Sequence, residues 1–471
     1  MLTGVLLVST WGCPAQWKDA KYFLSDELAK TLEKKLKVDI DNSEPYYHCT
    51  STALLNDVLK KSGVDFRVVL VILDSLVDKY TSNKNTKCYN CYNNAFREVE
   101  SLDKLTSYRD LIECVEKLTK SIAKCLLGED VTVNVIVAPA IGSPGGKWRF
   151  IGGARDFAAV LMLKLFDVAR RFDVDFVLLD VTHGVNYMPT ETMYVSRLVI
   201  SALLASKHPE KSRFPELLIV NSDPYPPSVQ KPHLGINLVY REKIRGILRL
   251  DGVPKSVIKQ RSRVGERILE ELKRVNEIYQ KYAYAYAFTC IPTPLALCKM
   301  CSEISDEDKD LLAEIYELWI EATQVIGVQV NRLLRLVPEA IYAYIVAREF
   351  CSQALLNYTN SEGAPLGRLE NLAKLYGLID ETYEILINDE IRRIQQVLTD
   401  KAENREWVRL CELYNECRGV NNLDERTMIA HGGLQKEFVE VNLKRARIRF
   451  VDKVTKEKLV QDLGVRPEEL L

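Results

Sequence analysis

The sequence predicts a doubly wound α/β domain in its first half and helical regions after it. Five short runs in the first 225 residues are apolar at nearly every position, which is typical of strands buried on both faces of a parallel sheet. Helix-like segments, such as Arg155 to Arg171 and Thr190 to Ser206, lie between the later runs and give the alternation of a doubly wound sheet. The predicted strands are Thr3 to Thr10, Phe66 to Leu73, Val131 to Ala138, Val174 to Val181 and Glu216 to Asn221.

A proline-rich segment marks the end of this domain. Four prolines lie between Asp223 and Pro232, so neither a helix nor a central strand is expected to cross the segment. Beyond it, apolar residues recur with helical spacing over Val264 to Tyr279 and Lys309 to Leu336, and Pro338 opens a last set of helices. We therefore expect an α/β domain over 1–225, an all-α connector over 226–337 that could hold a helix-turn-helix, and an all-α domain over 338–471.

Composition and charge place the chain among ordinary globular proteins. It has 471 residues, of which 47% are hydrophobic and 27% charged, and its net charge is −1. The content of hydrophobic residues excludes disorder as the main state. The net charge near zero means that the protein as a whole has no electrostatic attraction to nucleic acid or to a membrane. No stretch approaches ~18 apolar residues, and the first apolar run precedes the first positive charge, Lys18, unlike in a secretory signal peptide. We therefore expect a cytoplasmic protein with no membrane partner.

Two neighbouring segments carry opposite charge. Between Arg241 and Arg274 there are eleven Lys or Arg residues against five Asp or Glu, whereas Glu303 to Glu321 holds eight acidic residues and one lysine. The basic segment either faces nucleic acid or pairs with the acidic segment across helices. The aromatic residues between Tyr279 and Phe288 could stack on bases, but aromatic residues at this spacing usually pack in a core.

The loops that leave the carboxyl ends of the predicted strands are rich in hydroxyl, amide and glycine groups. Such loops gather at one edge of a parallel sheet, where ligands bind, and these groups can hydrogen-bond phosphate, ribose and base edges. A P-loop is excluded, because only three residues separate Gly142 from Gly146-Lys147 and Trp148 follows. The first loop also lacks the glycines of a dinucleotide fingerprint, so we expect neither an NTPase nor a dehydrogenase.

Three of these loops resemble those of a known family. The strings STWG, LDVTHGVNYMP and NSDPYP, which begin at Ser9, Leu179 and Asn221, are similar to the CARF domain of the CRISPR-associated CARF-HEPN ribonucleases of type III systems. This resemblance implies a Rossmann-like domain whose pocket, on a dimer axis, binds a cyclic oligoadenylate, usually cyclic tetra-adenylate. The ligand contacts it implies are Thr10, Trp11, Gly12, Gly142, Thr182, His183, Gly184, Asn186, Asn221 and Ser222.

The C-terminal region contains an R-x4-H element, Arg426 to His431, in a chain with only five histidines. HEPN ribonucleases of the same family carry their R-x4-6-H motif at this position, often with Asn after the Arg, where this chain has Thr427. The resemblance implies that Arg426 and His431 are the catalytic residues. Their chemistry suits RNA, whose 2′-hydroxyl is its own nucleophile: histidine can move protons, arginine can hold phosphate, and no metal is required.

Two further features leave alternatives open. Basic residues after His431 either hold the RNA backbone or lie on a solvated helix face. They are Lys436, Lys444, Arg445, Arg447 and Arg449. The two CxxC pairs, Cys88 to Cys91 and Cys298 to Cys301, are about 200 residues apart, so bridged or free cysteines are favoured over a shared zinc site.

The sequence is thus interpreted as a metal-independent endoribonuclease that cyclic tetra-adenylate activates, with no cofactor, and that cleaves single-stranded RNA in CRISPR type III antiviral defence. On a regular helix Arg426 and His431 would be about 140° apart, so a homodimer or larger homo-oligomer that shares its active site is expected. The main alternative is a CARF-type transcriptional regulator whose basic segment binds DNA, and a second is a catalytically silent HEPN scaffold.

Overall fold

The computed structural model describes residues 4–41, 44–81, 86–99, 105–206, 214–304, 311–355, 358–359, 361–400, 406–419 and 422–464. Residues 305–310 of the acidic segment and the first residue of the first predicted strand lie outside these ranges. Every residue predicted for the ligand pocket or the active site lies within them.

A mixed sheet forms the core of the N-terminal region. The first nine strands are β1 (Val5–Trp11), β2 (Ala20–Leu24), β3 (Tyr46–His48), β4 (Phe66–Leu73), β5 (Val133–Ala138), β6 (Arg149–Ile151), β7 (Phe176–His183), β8 (Glu216–Ser222) and β9 (His233–Lys243). Within the described residues, all of these except β6 join one sheet in the order β3-β2-β9-β8-β7-β1-β4-β5. Pairing is parallel from β8 through β7, β1 and β4 to β5, whereas β8·β9 and β2·β3 are antiparallel.

The helices of this region are α1 (Asp26–Leu36), α2 (Ser51–Ser62), α3 (Lys87–Glu98), α4 (Tyr108–Leu127), α5 (Ala154–Arg170) and α6 (Met188–Ser206). The structure confirms the five predicted strands as β1, β4, β5, β7 and β8, and the two predicted helices as α5 and α6. The sheet continues past residue 225, because β9 pairs with β8 along its length and with β2 at its start. The proline-rich segment is therefore the loop between two neighbouring antiparallel strands of one sheet.

The connector contains strands as well as helices, so its prediction as all-α is wrong. Its elements are β10 (Ile258–Gln260), α7 (Glu266–Thr289), α8 (Pro294–Cys301), α9 (Leu311–Glu321), β11 (Thr323–Ile326), β12 (Gln329–Arg332) and β13 (Leu334–Leu336). A helix is predicted through Leu336, but the observed helix α9 ends at Glu321. The residues after it form an antiparallel hairpin of β11 and β12, and Gly327, at φ +58°, lies in its turn. Residues 241–265, all of which the structure describes, contain no helix, so the expected helix-turn-helix does not form there.

The C-terminal region is mainly helical and also contains a sheet. Its elements are α10 (Pro338–Ala354), β14 (Ala364–Pro365), α11 (Leu366–Gly377), α12 (Glu381–Asp400), β15 (Trp407–Arg409), α13 (Leu410–Leu413), α14 (Glu425–Ala430), β16 (Val439–Asn442), β17 (Arg447–Phe450) and α15 (Lys456–Asp462). Strands β14, β17, β16 and β15 pair in that order, all antiparallel. The all-α prediction is therefore wrong here too, and Arg447 and Arg449 lie on a strand rather than on a helix face.

The basic and acidic segments of the connector contact each other. Arg274 donates to Glu314 at 2.6 Å, and Arg267 pairs with Glu321. Tyr279, Tyr282, Tyr286 and Phe288 are all buried, which confirms that these aromatic residues belong to a core. For these residues, intramolecular contacts account for the charge and aromatic patterns.

A buried ion pair joins the N-terminal sheet to the connector. Strand β12 pairs with β6 in parallel, and its last residue, Arg332, is fully buried against fully buried Asp74. Asp74 also accepts hydrogen bonds from the Tyr108 hydroxyl and the Ala140 amide, both at 2.8 Å, and Arg332 donates to the Ala140 carbonyl at 2.7 Å. This network fixes the chain that leaves β5 against the connector.

The cysteines of the two CxxC elements are not paired within an element. Disulfides join Cys49 to Cys88, Cys91 to Cys125, Cys301 to Cys351 and Cys411 to Cys417, and Cys298 is a buried thiol. Separately, none of the helices that the structure describes is both long enough and apolar enough to span a bilayer.

Candidate ligand pocket and candidate active site

A cavity of about 270 Å³ opens where β1 and β4 end. Of the residues predicted to bind ligand, it brings together Trp11, Gly12 and Asn186, and it is also lined by Asp78 and by Gly145 of the glycine-rich loop. Gly142 lies outside the lining and instead exchanges two backbone hydrogen bonds with Phe150 of β6. A side chain at position 145 would collide with the Asp78 carboxylate, so the close approach of this loop requires glycine.

The remaining predicted residues do not line this cavity. The Thr182 hydroxyl accepts a hydrogen bond from the Ser222 amide at 3.1 Å and so ties the end of β7 to the end of β8. Gly184 lies against the hydroxyl of Thr10, where a Cβ atom would be 2.5 Å away. Asn221, the residue before Ser222, is exposed. These side chains fix the shape of the sheet edge.

Buried Asp180 holds the ends of β1 and β7 together, and sequence reasoning missed it. Its carboxylate accepts hydrogen bonds from the Ser51 hydroxyl at 2.8 Å, the Thr52 hydroxyl at 3.0 Å and the Thr182 amide at 3.0 Å. The Thr52 hydroxyl in turn accepts from the indole nitrogen of Trp11 at 3.2 Å. The sequence could have revealed Asp180, because it is a charged residue within an otherwise apolar strand. A carboxylate buried in a sheet requires hydrogen-bond donors around it.

The imidazole of His183 is buried beside Gly12, which lines the cavity. It stacks on the Trp17 ring with 4.1 Å between the ring centroids, and its buried Nε2 atom has no hydrogen-bond partner among the described residues. Burial lowers the pKa of His183 to about 4, so the ring is neutral near neutral pH. A neutral ring next to the cavity can accept or donate one hydrogen bond without adding charge.

The second site is built around His431, which follows the end of α14. Its Nδ1 atom lies 3.2 Å from a carboxylate oxygen of Glu390 on α12, and Glu390 is only 5% exposed. The histidine side chain is 41% exposed. With Nδ1 donating to Glu390, Nε2 is the nitrogen left to exchange a proton with a bound molecule.

Cationic side chains share a cavity of about 820 Å³ with His431. Arg393, Arg418 and Lys436 line it; Arg393 also donates to Glu390 at 3.1 Å, and Lys436 pairs with Glu416. The Tyr414 hydroxyl is buried at this cavity without a hydrogen-bond partner among the described residues. Burial raises the pKa of Tyr414 to about 12, so this hydroxyl remains a donor. The acidic residues Glu390, Glu416, Asp424 and Glu437 line the same cavity, and Glu390 and Glu416 pair with Arg393 and Lys436.

Arg426 does not join His431 in this cavity. It is exposed on α14, which is only one to two turns long, whereas Thr427 is in the lining. Sequence reasoning missed Glu390, Arg393 and Tyr414. In the part of the chain that the structure describes, no three His, Cys, Asp or Glu side chains are grouped as metal ligands would be.

Comparisons with known proteins match both halves of this arrangement. A family model described as "CRISPR system endoribonuclease Csx1, CARF domain" matches residues 6–224, and one described as "CRISPR system endoribonuclease Csx1, HEPN domain" matches residues 380–452. A relative named CRISPR system endoribonuclease Csx1, from Methanocaldococcus jannaschii, is 28% identical over 226 residues. The matched region is 47% of this chain and spans 37% of the length of that relative.

The fold and the two sites define a two-domain protein, with a mixed-sheet CARF domain at the N-terminus and a HEPN domain that contains Glu390 and His431. The chain belongs to the family of CRISPR-associated CARF-HEPN ribonucleases.

Proposed function

We propose that this chain is an endoribonuclease of CRISPR type III antiviral defence that cyclic oligoadenylate, in particular cyclic tetra-adenylate, activates. The observation that carries the proposal is the contact between His431 and buried Glu390 in a cavity that Arg393, Arg418 and Lys436 also line. Glu390 lies within hydrogen-bonding distance of Nδ1 and so orients the imidazole, with Nε2 left to face the substrate.

In this proposal the 2′-hydroxyl of single-stranded RNA attacks the adjacent phosphorus. The Nε2 atom of His431 removes the hydroxyl proton or protonates the leaving 5′-oxygen, and Arg393 and Lys436 stabilise the negative charge that develops on phosphate. The Tyr414 hydroxyl can donate to a phosphate oxygen. The P–O bond to the 5′-oxygen breaks, and the upstream fragment keeps a 2′,3′-cyclic phosphate without the help of a metal ion.

The deciding experiment measures cleavage of a single-stranded RNA with and without cyclic tetra-adenylate. We expect cleavage only with the activator, unchanged rates in excess EDTA, a cyclic phosphate on the product and no cleavage where the scissile nucleotide is 2′-deoxy. Loss of activity in EDTA would show a metal-dependent mechanism instead. Cyclic oligoadenylates of other ring sizes serve as the matched controls for the activator.

The proposed activator site makes a separate prediction. Thr182→Ala removes the acceptor that ties β8 to β7, and His183→Ala removes the imidazole next to the cavity, so both should weaken cyclic tetra-adenylate binding about tenfold or more. Isothermal titration calorimetry measures the affinity, with His233→Ala, at an exposed position of β9, as the control. Wild-type affinity in both pocket variants would remove these residues from the site.

We further propose that two chains share one active site. The exposed position of Arg426, outside the cavity of its own His431, supports this arrangement, because a two-fold axis would bring Arg426 of each chain to the other's cavity. One histidine also cannot be base and acid at the same moment, whereas two can.

Mixed dimers test this sharing. Wild-type chains are coexpressed with an excess of His431→Ala chains, and mixed dimers are isolated through two different tags. We expect the activity per wild-type chain to fall severalfold below that of the wild-type dimer. Equal activity per wild-type chain would mean that each chain holds its own complete site.

A further inference from the structure

We propose that Glu437 makes the candidate active site selective for guanine, because its carboxylate accepts hydrogen bonds from the base of a nucleotide next to the scissile phosphate. This inference rests on the proposed ribonuclease function and adds a substrate contact to the same cavity. Glu437 lines that cavity together with His431, Arg418 and Lys436.

Glu437 differs from the other acidic residues of the cavity in its contacts. The others all have partners within the chain: Glu390 with His431 and Arg393, Glu416 with Lys436, and Asp424 with the amide and hydroxyl of Thr427. Glu437 is only 8% exposed, and no other residue that the structure describes forms a hydrogen bond or an ion pair with its side chain. A carboxylate buried to this degree requires hydrogen-bond donors, so its donors come from the contents of the cavity.

Backbone hydrogen bonds hold Glu437 at the wall of the cavity. The Phe438 amide donates to the Gln435 carbonyl at 3.0 Å and closes a turn around Glu437. The Lys436 carbonyl, one residue before Glu437, accepts from the Cys411 amide at 3.1 Å. A turn that is fixed in this way presents its side chain in one place, as selective recognition of a base requires.

Gln435, two residues before Glu437, supplies a hydrogen-bond donor at the same wall. It is 3% exposed and also lines the cavity. Its side-chain oxygen accepts from the Asp424 amide at 3.3 Å, which leaves its NH2 group to donate. The wall therefore offers a carboxylate, which only accepts hydrogen bonds, and an amide group that donates them.

Guanine is the base whose Watson–Crick edge matches these groups. Its N1–H and N2–H donors lie side by side and fit the two oxygens of a carboxylate, while its O6 atom can accept from the NH2 group of Gln435. Adenine and cytosine place an acceptor nitrogen beside their amino group, and uracil places its N3–H between two carbonyl oxygens. Each of these three bases would therefore set an acceptor against the carboxylate of Glu437. A phosphate group would be repelled by Glu437, so the RNA backbone is left to the cations of the cavity.

Cleavage of short RNAs that differ only in one nucleotide tests the proposal. We expect the wild type to cleave next to guanosine about tenfold faster or more than next to the other nucleosides, because they leave a buried acceptor unpaired. Glu437→Gln replaces one oxygen with an NH2 group, which complements an acceptor nitrogen beside an amino group. Its preference should therefore move from guanosine to adenosine and cytidine, a change that loss of a merely structural residue would not produce.

Glu440→Gln is the matched control for this variant. Glu440 is three residues further along the chain, pairs with Arg449 at 3.0 Å and does not line the cavity. Glu440→Gln should keep the preference of the wild type. An unchanged preference for guanosine in Glu437→Gln would overturn the proposal, and so would equal cleavage by the wild type next to all four nucleosides.

Binding of the same RNAs in the His431→Ala background separates this proposal from the ribonuclease function. Fluorescence anisotropy should show that the guanosine RNA binds about tenfold more tightly than the others, and that Glu437→Gln removes this difference. An RNA with inosine, which lacks the N2 amino group, should bind more weakly than the guanosine RNA. Equal affinity for all of these RNAs would overturn the role of Glu437. Absence of cleavage by the wild type would contradict the ribonuclease function, while the binding measurement would still decide the role of Glu437.

Discussion

Replacing His431 with alanine is expected to lower the rate of activated RNA cleavage by about a hundred- to ten-thousandfold, the range typical of a general acid or base. The variant loses the one imidazole that lines the candidate active site among the described residues, while Arg393, Arg418 and Lys436 remain to bind phosphate. RNA affinity should therefore change little. Single-turnover cleavage with saturating cyclic tetra-adenylate measures the chemical step apart from binding.

Stability provides the control for this variant. The His431 side chain is 41% exposed, and Glu390 keeps its hydrogen bond from Arg393, so the free energy of unfolding should change by less than about 1 kcal/mol. Glu390→Gln keeps the imidazole and an oxygen that can accept from its Nδ1 atom, so cleavage should fall less than in His431→Ala. Near-wild-type cleavage by His431→Ala would exclude this histidine from catalysis.

The parallel sheet was predictable because its strands are apolar along their whole length. Strands β4 and β8 contain few polar residues, so their sequences are recognisable as buried strands. Because these strands are placed correctly, the loops that follow them are also predicted at the correct edge of the sheet. The short strands of the connector and the HEPN domain were not recognised. In β16 and β17 alternate residues are apolar over only four positions, while β11 has two adjacent apolar residues and β12 has one. Such short patterns do not exclude a helix.

The candidate active site was only partly predictable for a different reason. His431 was found from a local motif, but Glu390 is 41 residues away in the sequence and reaches it only through the packing of α12 against the end of α14. The R-x4-H motif also does not determine whether its arginine lies in the same cavity as its histidine. Arg426 is exposed, while Arg393, which has no motif, lines the cavity with His431.

Removing Arg332 is expected to destabilise the protein strongly, because it is fully buried against Asp74. Arg332→Met leaves the Asp74 carboxylate fully buried without its counter-charge, and breaking such a pair typically costs about 3–5 kcal/mol. Chemical denaturation measures the change. Arg109→Met is the matched control, since Arg109 pairs with Glu317 at the surface, both half exposed, where a pair contributes less than about 1 kcal/mol.

A double-mutant cycle separates the ion pair from simple loss of packing. Asp74→Asn keeps one oxygen that can accept from the Ala140 amide and replaces the other with an NH2 group that can donate to the Tyr108 hydroxyl. Asp74→Asn combined with Arg332→Met should therefore be less destabilised than the sum of the two single variants. Additive effects would mean that Arg332 acts through volume alone. Because the pair fixes the chain between β5 and the glycine-rich loop to the connector, both single variants should also reduce the fold-activation of cleavage by cyclic tetra-adenylate, measured at a temperature where each remains folded.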